Sequence, residues 1–520
     1  VKFKHPVKAG IWSNKMTAAL VGKILAFALY LGLMIYIGVR SSKKTNDAKD
    51  FFLGGRGLGP WVTALSAEAS DSSAWLLMGL PGLCYLGGIK ETIWTALGLI
   101  VGTYLNWLIV AKPLRKCSIA FGDSITIPGF FKNRFKSNLI SVISVVLIVF
   151  FFTIYTASGF VACGKLFQSV FGLDYKLGMV IGLVVILSYT IMGGYRAVCT
   201  TDFVQGALIF VAFIVASFVA VVALGGPADA ISKAQDFGTK ALSGEYGEAL
   251  MAKFTANQSF GAMSAVSAFA WCLGYFGMPH IIIRFMGIRS NSEIKTARRV
   301  GIIWMIIAYI GAFIIGTLGT VYLLPNLLNG STAETVFSES MLKMFPAFIA
   351  GIFLCAILAA SMSTADSQLL SAASSVSLDI YKDMINKDAD EKKVLLVSRI
   401  TVFAVAAVAF VLCLLPNNDS IFGLVSYAWA GFGATFGGLM FLALFWRNCT
   451  AAGACSGLIG GFITVVAWHN IPASVAPIFG VYEILPGFLV TLVVAVVVSL
   501  FTKKDSEVQS TFDSYKKTAD

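Results

Sequence analysis

The stretch ALSAEASDSSAWLLMGLPG, from Ala64 to Gly82, begins and ends like a membrane-spanning helix but is polar at its centre. It places Glu68, Asp71 and four serines within an apolar segment. A carboxylate at the centre of a helix in lipid costs about 2.5–3.5 kcal/mol, so Asp71 is expected to face a polar interior. The stretch predicts either a pathway for an ion or solute, or an aspartate that local backbone amides satisfy at a helix break.

The rest of the chain is strongly apolar. Of its 520 residues, 57% are hydrophobic and 13% are charged, and the mean hydropathy is +0.81. Apolar runs of about 20 residues predict transmembrane helices, and their non-alternating pattern argues against an outer-membrane barrel. Nine scattered cysteines without a CxxC pair, and only three histidines, argue against a disulfide framework, a zinc site or a multi-haem enzyme.

Thirteen apolar segments predict an all-α integral membrane protein, and we number them spans 1 to 13. Spans 2 and 9 are long with polar centres, and span 7 is interrupted by glycine and proline. Broken helices at corresponding positions of two halves point to an inverted-repeat transporter. The predicted spans are residues 18–39, 59–87, 90–112, 138–169, 175–192, 201–225, 259–287, 299–323, 344–373, 398–416, 420–446, 450–469 and 478–501.

The basic residues predict the orientation of the chain in the membrane. If the loop between spans 1 and 2 is cytoplasmic, 27 of the 39 lysines and arginines fall in cytoplasmic loops or the C-terminal tail. This asymmetry predicts a multi-pass cell-membrane protein with an external N-terminus and a cytoplasmic C-terminus. It also accounts for the net charge of +12, so no nucleic-acid partner is expected. Residues 1–15 are interpreted as an upstream extension before Met16, and span 1 as retained.

Span 9 contains hydroxyl groups suited to a hard cation. Ser363 and Thr364 are adjacent, and the carbonyl of Ala360 lies on the same helical side. These oxygens make half of a sodium shell, and carbonyls freed by unwinding residues 69–73 would complete it. The alternative is that the hydroxyls bond their own helix or pack against a neighbour.

Three further charged residues border the polar segments. Asp366 follows in span 9 and Asp202 opens span 6. Each is predicted either to serve a second cation or an inner gate, or to form a cytoplasmic salt bridge. Arg56 lies at the inner edge of span 2 and is a candidate partner for an acid there.

Aromatic residues accompany these polar positions. Tyr155 lies mid-span among small polar neighbours, and Trp271 and Tyr275 share a helical face before Pro279. Pro279 frees backbone groups behind them. The cluster suits a small, partly apolar zwitterion, although aromatic clusters are also common as simple packing.

Together these stretches resemble the sodium:solute symporter family, and most closely its proline-transporting bacterial branch. The resemblance rests on five motifs in family order over spans 2 to 11: FLGGRGLGPWVTALSAEASDSSAWLLMGLPG, FFTIYTASG, GYFGMPHIIIRFM, AILAASMSTADSQLL and GLVSYAWAGFGA. It implies a leucine-transporter-like fold with one leading helix, a 5+5 inverted repeat and two trailing helices. It also implies sodium-coupled import of L-proline by alternating access, with Na+ as the coupling ion and no enzymatic activity.

The resemblance also implies a role for individual residues. The family's aspartate matches Asp71, and Arg56 and Asp202 match positions tied to sodium coupling or inner gating. Asp366 lies near a second sodium site of some relatives. The sodium ligands would be the carbonyls of Ala69, Ser72 and Ala360 and the hydroxyls of Ser363 and Thr364. The substrate pocket would comprise Ser73, Ala74, Tyr155, Trp271, Tyr275 and Pro279.

The implied domains follow the repeat. An external segment 1–17 and the leading helix 18–39 precede the first repeat, 59–225. An external loop, 226–258, separates it from the second repeat, 259–446. Two trailing helices occupy 450–501, and a cytoplasmic tail occupies 502–520.

Two departures from the proline branch bear on the substrate. Ser72 replaces a methionine, which leaves a backbone ligand intact, and Ala74 replaces a glycine beside the substrate. The alternative substrates are another small amino acid, a sugar acid or pantothenate, and an ion channel is a more remote alternative. The partners expected are the solute, sodium and the bilayer, with a monomer sufficient for function.

Overall fold

The computed structural model describes residues 7–42, 48–416 and 418–516. Within these ranges the regular structure is helical, with one isolated β-bridge between Leu58 and Ile288. The all-α prediction is therefore confirmed. The predicted external segment 1–17 and the tail 502–520 lie partly outside the described residues.

The helices follow the predicted spans closely. Within the described ranges, ten helices are long and apolar enough to cross a membrane, whereas span 5 is short and spans 2 and 7 are polar or bent. The count of thirteen therefore stays a prediction. The bounds for spans 1 to 13 are Val7–Ser42; Pro60–Ala74, Trp75–Gly79 and Leu80–Gly87; Lys90–Leu105, Asn106–Val110 and Ala111–Ala120; Asn138–Phe171; Tyr175–Ala223 for spans 5 and 6 together; Ala262–Phe269, Ala270–Phe276 and Pro279–Gly287; Ile294–Tyr322; Ala347–Ser374 and Ser375–Ile385; Glu391–Cys413; Ile421–Phe432, Gly433–Gly437 and Gly438–Phe445; Ala451–Asn470; and Ile484–Phe501.

Shorter helices connect the spans at the two ends of the molecule. We call the end that carries Arg56 and the C-terminal helix the Arg56 end, and the other the long-loop end. The predicted loop 226–258, at the long-loop end, is itself largely helical. The connecting helices are Ala48–Leu53, Gly54–Arg56, Ile127–Phe135, Pro227–Leu242, Glu248–Gln258, Asn291–Glu293, Gly330–Thr335, Val336–Met344, Pro477–Gly480 and Ser506–Lys516.

Several helices are longer than the apolar pattern predicts. Span 3 continues to Ala120 and span 9 to Ile385, because both run past the apolar stretch into buried polar contacts at the Arg56 end. Span 3 contains Pro113, and a π-helical turn at Asn106–Val110 precedes it. Pro113 has no backbone N–H to donate. The π turn changes the hydrogen-bond register just before it, which lets the helix continue through the proline.

Spans 5 and 6 are joined directly rather than by a loop. Gly194 breaks the helix with φ 60° and ψ −178°, a conformation that is essentially restricted to glycine. A Cβ atom at Gly194 would also lie 2.8 Å from the ring of Phe51. The predicted gap between residues 192 and 201 is therefore a sharp bend.

Spans 2, 9 and 11 form the centre of the molecule. Nearly every side chain from Thr63 to Gly82 is buried, and span 9 is buried from Phe353 to Ser375. Outward faces of peripheral spans carry large exposed apolar side chains such as Phe218, Phe403 and Phe501, as expected for surfaces that face lipid. The nine cysteines are unpaired, and all are buried except Cys272, which is partly exposed.

Candidate functional site

The break in span 2 lies at one residue. Ser73 has φ 45° and ψ −177°, a conformation that costs a non-glycine residue about 1–3 kcal/mol. Its hydroxyl accepts a hydrogen bond from the amide of Trp75 at 3.1 Å, which stabilises the break locally. The predicted unwinding of residues 69–73 is thus narrower in the structure, where 69–72 stay helical.

Span 7 is broken at the corresponding place of the second half. A 3-10 helix ends at Phe276, Met278 is extended, and an α-helix restarts at Pro279. Gly274 lets span 11 approach, because a Cβ atom there would lie 2.0 Å from Trp429 Nε1. The indole of Trp429 in turn donates to the carbonyl of Trp271 at 2.9 Å.

Oxygen atoms of spans 2 and 9 converge beside the span 2 break. The Ser363 hydroxyl lies 2.8 Å from the Ala69 carbonyl and 3.2 Å from the Ala360 carbonyl. The Thr364 hydroxyl donates to the carbonyl of Ser70 at 2.8 Å. Five buried oxygens therefore form one cluster, which we call the oxygen cluster.

Ser72 is oriented differently from the other predicted ligands. Its hydroxyl donates to the Glu68 carbonyl at 2.5 Å, and its carbonyl accepts the amide of Trp75. The structure thus brings together Ala69, Ala360, Ser363 and Thr364, and it adds the carbonyl of Ser70. Nothing in the sequence separated Ser70 from its serine neighbours.

A narrow cavity of about 10 Å³, about the space of one water molecule, adjoins the span 2 break, and we call it the Asp71 cavity. The Tyr275 hydroxyl donates to Asp71 Oδ2 at 2.5 Å. The Tyr155 hydroxyl lies 3.5 Å from the Asp71 carbonyl. One carboxylate among tyrosine hydroxyls and aromatic walls suits a small solute with one polar and one apolar side. The lining residues are Asp71, Ser72, Trp75, Leu99, Tyr155, Trp271, Tyr275, Tyr309, Val425 and Trp429.

The remaining predicted substrate residues lie next to this cavity. Ser73 and Ala74 line a second cavity, which is closed to a water molecule in this conformation and shares Tyr155 with the first. Pro279 is buried and begins the helix after the span 7 break. Trp75 and Tyr309 were missed by the sequence reasoning. Trp75 is one helical turn from Asp71, a signal that was available, whereas Tyr309 lies in a uniformly apolar span.

Trp271 separates the Asp71 cavity from a much larger opening at the long-loop end. That opening has a volume of about 790 Å³, and Trp271 lines both it and the Asp71 cavity. Its ring stacks on Trp75 with centroids 5.3 Å apart and on Tyr482 at 5.1 Å. A path from this end to Asp71 therefore passes the Trp271 ring.

A buried ion pair lies on the Arg56 side of the oxygen cluster. Arg284 Nη2 is 3.2 Å from Asp202 Oδ2, and both side chains are fully buried. The same Asp202 oxygen accepts hydrogen bonds from Ser66 at 2.7 Å and Ser70 at 3.0 Å. The ion pair thus ties span 7 to spans 2 and 6.

Arg284 was missed by the sequence reasoning, which counted it with the basic loop residues. Its apolar neighbours Ile283 and Phe285 were the signal that it is buried. Arg284 also donates to Ser367 at 2.5 Å, and the Ser367 hydroxyl bonds Asp366 Oδ1 at 3.2 Å. Asp366, buried in span 9, therefore belongs to the same polar network.

Arg56 links its own short helix to the loop after span 3 and to the end of span 7. Its guanidinium forms an ion pair with Asp123 at 3.0 Å and donates to the Met286 carbonyl at 2.7 Å. Burial lowers the pKa of Arg56, and Asp123 opposes that shift. The acid predicted to pair with Arg56 is thus Asp123, which lies outside the spans.

Among the described residues, no group of three or more histidine, cysteine, aspartate or glutamate side chains is arranged to hold a metal ion. A cation in this core would instead depend on hydroxyl and carbonyl oxygens, which are the ligands hard cations prefer.

Comparison with known proteins gives these features a context. The osmoregulated proline transporter OpuE of Bacillus subtilis is 41% identical over 486 residues, covering 93% of this chain and 96% of the relative. A sodium/proline symporter of Staphylococcus aureus is 40% identical over 491 residues, covering 92% of this chain and 93% of the relative. A solved Na+-coupled sialic acid symporter matches with a TM-score of 0.76 at 19% identity, over 94% of this chain and 99% of that one.

The fold is the leucine-transporter-like architecture of a multi-pass membrane protein, as predicted. The model of the family described as the sodium:solute symporter family matches residues 51–461. The chain belongs to the sodium:solute symporter family. It is therefore a sodium-coupled transporter and not an enzyme.

Proposed function

We propose that this chain imports L-proline together with sodium by alternating access. Two relatives that cover almost the whole chain at 40–41% identity are named as proline transporters. The observation that carries the proposal is the Asp71 cavity, where a carboxylate and two tyrosine hydroxyls adjoin the oxygen cluster. A zwitterion and a cation bound there would share one broken helix.

The proposed sodium site comprises Ala69, Ser72, Ala360, Ser363 and Thr364. Four of these five contribute to the oxygen cluster, and all are buried. Carbonyl and hydroxyl oxygens supply partial negative charge without a full carboxylate, so a monovalent cation can leave again. Asp71, one residue before Ser72, adds a carboxylate close to these ligands in the chain.

The proposed substrate site comprises Ser73, Ala74, Tyr155, Trp271, Tyr275 and Pro279. Tyr155 and Tyr275 contact Asp71, and Trp271 closes the cavity toward the large opening. Aromatic walls suit the apolar ring of proline, and the hydroxyls suit its charged groups. The break at Ser73 exposes backbone groups to the solute on one side and to sodium on the other.

We assign sodium coupling and gating of the Arg56 end to Asp202, Asp366 and Arg56. The buried Asp202–Arg284 pair and its serine partners hold spans 2, 6, 7 and 9 together. Release of this network would let the Arg56 end open. We place this end in the cytoplasm because it carries most of the basic loops, with the N-terminus and the long-loop end outside.

The proposed domains keep the predicted division. The first repeat spans 59–225 and the second 259–446, with the helical loop between them and two trailing helices at 450–501. The corresponding breaks at Ser73 and after Phe276 support this arrangement. With one sodium, about 100 mV and a tenfold gradient supply about 3.7 kcal/mol, enough for about 500-fold accumulation.

The test is uptake of radiolabelled L-proline into proteoliposomes with an inward sodium gradient. We expect accumulation above equilibrium, and none with an equal potassium gradient or after a sodium ionophore. Sodium-independent equilibration would contradict the proposal.

Ala74 favours a second candidate, the same mechanism with another small solute. Its methyl group lines the cavity shared with Tyr155, and a methyl group there narrows the pocket relative to glycine. Competition by other amino acids, sugar acids and pantothenate separates the two. If proline competes poorly in the native protein and well in Ala74→Gly, the substrate is a different one.

A further inference from the structure

A cavity at the surface of the Arg56 end lies outside the sites assigned above, and we call it the basic cavity. Its volume is about 300 Å³, which is at the lower end of the range of small-molecule sites. Five segments form its walls: the end of the helix Ile127–Phe135, the turn after span 11, the start of span 12, the residues after span 13 and the helix Ser506–Lys516. The fold therefore builds this cavity from parts of the chain that are far apart in sequence.

Four cationic side chains line the basic cavity. Lys136 follows the helix Ile127–Phe135, and Arg447 lies in the turn after span 11. Lys503 and Lys504 follow span 13. Like charges gathered in this way repel one another, so an anion that lies among them is favoured.

Two of these four side chains have an acidic partner on the helix Ser506–Lys516. Lys136 Nζ is 3.6 Å from Glu507 Oε1, and Arg447 Nη2 is 2.8 Å from Asp513 Oδ2. The side chains of both pairs are 38% to 69% exposed, so water weakens these ion pairs. Each basic group can therefore also contact an anion in the cavity.

The other two basic side chains supply an excess of positive charge. Within the described ranges, Lys503 and Lys504 form no ion pair. Asp505 also lines the cavity, but its Oδ1 accepts the amide of Glu507 at 2.8 Å. This carboxylate therefore caps the start of the helix Ser506–Lys516.

The start of span 12 adds backbone donors to the same walls. Thr450 accepts the amide of Gly453 at its hydroxyl, at 3.1 Å, and the amide of Ala454 at its carbonyl, at 2.9 Å. The preceding residues, Ala451 and Ala452, line the cavity, and their amides have no carbonyl of their own helix to bond. A helix N-terminus favours a negative charge, so it supplements the four cationic side chains.

The basic cavity lies at the border of the lipid-facing surface. Phe501, the last residue of span 13, is 87% exposed and lies two positions before Lys503. Leu139, at the start of span 4, is 61% exposed and lies two positions after the cavity residue Ser137. A phosphate group in the cavity could therefore carry acyl chains that lie against Phe501 and Leu139.

We propose that the basic cavity binds an anionic phosphate group. Lysine, arginine and backbone amides bind phosphate in proteins, and basic pockets beside transmembrane helices bind lipid headgroups. The phosphate could belong to an anionic phospholipid or to a free phosphate compound, and the position beside Phe501 favours the phospholipid. Binding at this site does not depend on the proposed transport of proline.

Basic residues are also expected at this end because they set the orientation of the chain. Lys392 and Lys393 provide a matched comparison, since they are an adjacent, exposed pair at the start of span 10 and do not line the basic cavity. A site in the cavity predicts that only the pair Lys503 and Lys504 affects phosphate binding. General attraction to basic loops predicts equal effects of the two pairs.

The first test is native mass spectrometry of the purified full chain in a neutral detergent, titrated with phosphatidylglycerol or with phosphatidylcholine. We expect the tightest site to prefer phosphatidylglycerol by about tenfold or more. Lys503→Gln with Lys504→Gln should weaken that site about 30-fold, because each lysine near an anionic headgroup contributes about fivefold. Lys392→Gln with Lys393→Gln should leave the affinity unchanged. Equal losses in the two double variants would overturn the proposal.

Lys136→Gln gives an independent check from a different segment, and it decides the matter if the double variant at Lys503 and Lys504 does not fold. It should weaken the same site about fivefold. An unchanged affinity would contradict the site, because Lys136 lines the cavity.

Isothermal titration with inorganic phosphate alone separates the two sources of the phosphate group. No heat of binding, together with lysine-dependent binding of phosphatidylglycerol, would identify a lipid headgroup. Heat that disappears in the double variant at Lys503 and Lys504, together with equal affinity for the two lipids, would identify a free phosphate compound. If neither inorganic phosphate nor phosphatidylglycerol binds in a way that depends on these lysines, the proposal is wrong.

Discussion

Asp71 and Asp202 are both buried aspartates at the core of the molecule, but their surroundings differ. Asp202 faces the guanidinium of Arg284 and two serine hydroxyls. Asp71 has a tyrosine hydroxyl as its side-chain partner and borders a cavity. An acid paired with a fixed cation stabilises one arrangement of helices, whereas an acid beside a cavity can interact with a bound ligand.

The largest expected effect is the loss of stability when Asp202 loses its partner Arg284. Arg284→Met leaves Asp202 buried without its cation, which costs about 3–5 kcal/mol of stability. We expect a large loss of folded protein, measured by thermal unfolding in detergent. The double variant Asp202→Asn with Arg284→Met should regain much of this loss. If the double variant is as unstable as the sum of the single variants, the pair is not coupled as described.

Asp71→Asn should impair transport and leave stability nearly unchanged. Removing this charge leaves the fold intact, because Tyr275 can still bond the amide. Sodium-dependent uptake should fall by about 10- to 100-fold, the value of a hydrogen bond to a charged group. Parallel unfolding and uptake measurements check this. A variant that loses stability but keeps the uptake rate of its folded fraction would place Asp71 with Asp202 as a structural residue.

The oxygen cluster consists of neutral groups, so a substitution there should have a smaller effect than one at Asp71 or at the Asp202–Arg284 pair. Ser363→Ala removes a hydroxyl that spans two helices and should weaken sodium activation by about 3- to 10-fold. Ser361→Ala is the matched control, because its hydroxyl bonds the Ile357 carbonyl of its own helix at 2.9 Å. Sodium titration of uptake distinguishes them, and equal shifts would contradict the assigned site.

An exposed ion pair gives the smallest expected effect. Arg447 and Asp513 are 2.8 Å apart, and their side chains are 46% and 41% exposed. Such pairs contribute about 0–1 kcal/mol, so Asp513→Ala should change the melting temperature only slightly. A loss of stability comparable to that of Arg284→Met would contradict this prediction. It would show that the C-terminal helix contributes far more to stability than an exposed ion pair can.

The sequence predicted the helical class and the family, and it singled out candidate site residues, because polar residues within apolar segments are costly and therefore informative. Asp71, Ser363 and Tyr155 were found for this reason. The single-residue break at Ser73 was not predicted, since each of the five small residues 69–73 could have adopted it. The Arg284 partner of Asp202 was missed because a basic residue near a predicted span end resembles a loop residue. Tyr309 gave no signal at all, since a tyrosine in an apolar helix is ordinary.

The distribution of thiols has a practical consequence for chemistry on the intact protein. Eight of the nine cysteines are buried, and Cys272, the residue after Trp271, alone is partly exposed. A maleimide added to the native protein should therefore react first at one position. Its rate would report how exposed the 3-10 helix before the span 7 break is, without deleting or adding any cysteine.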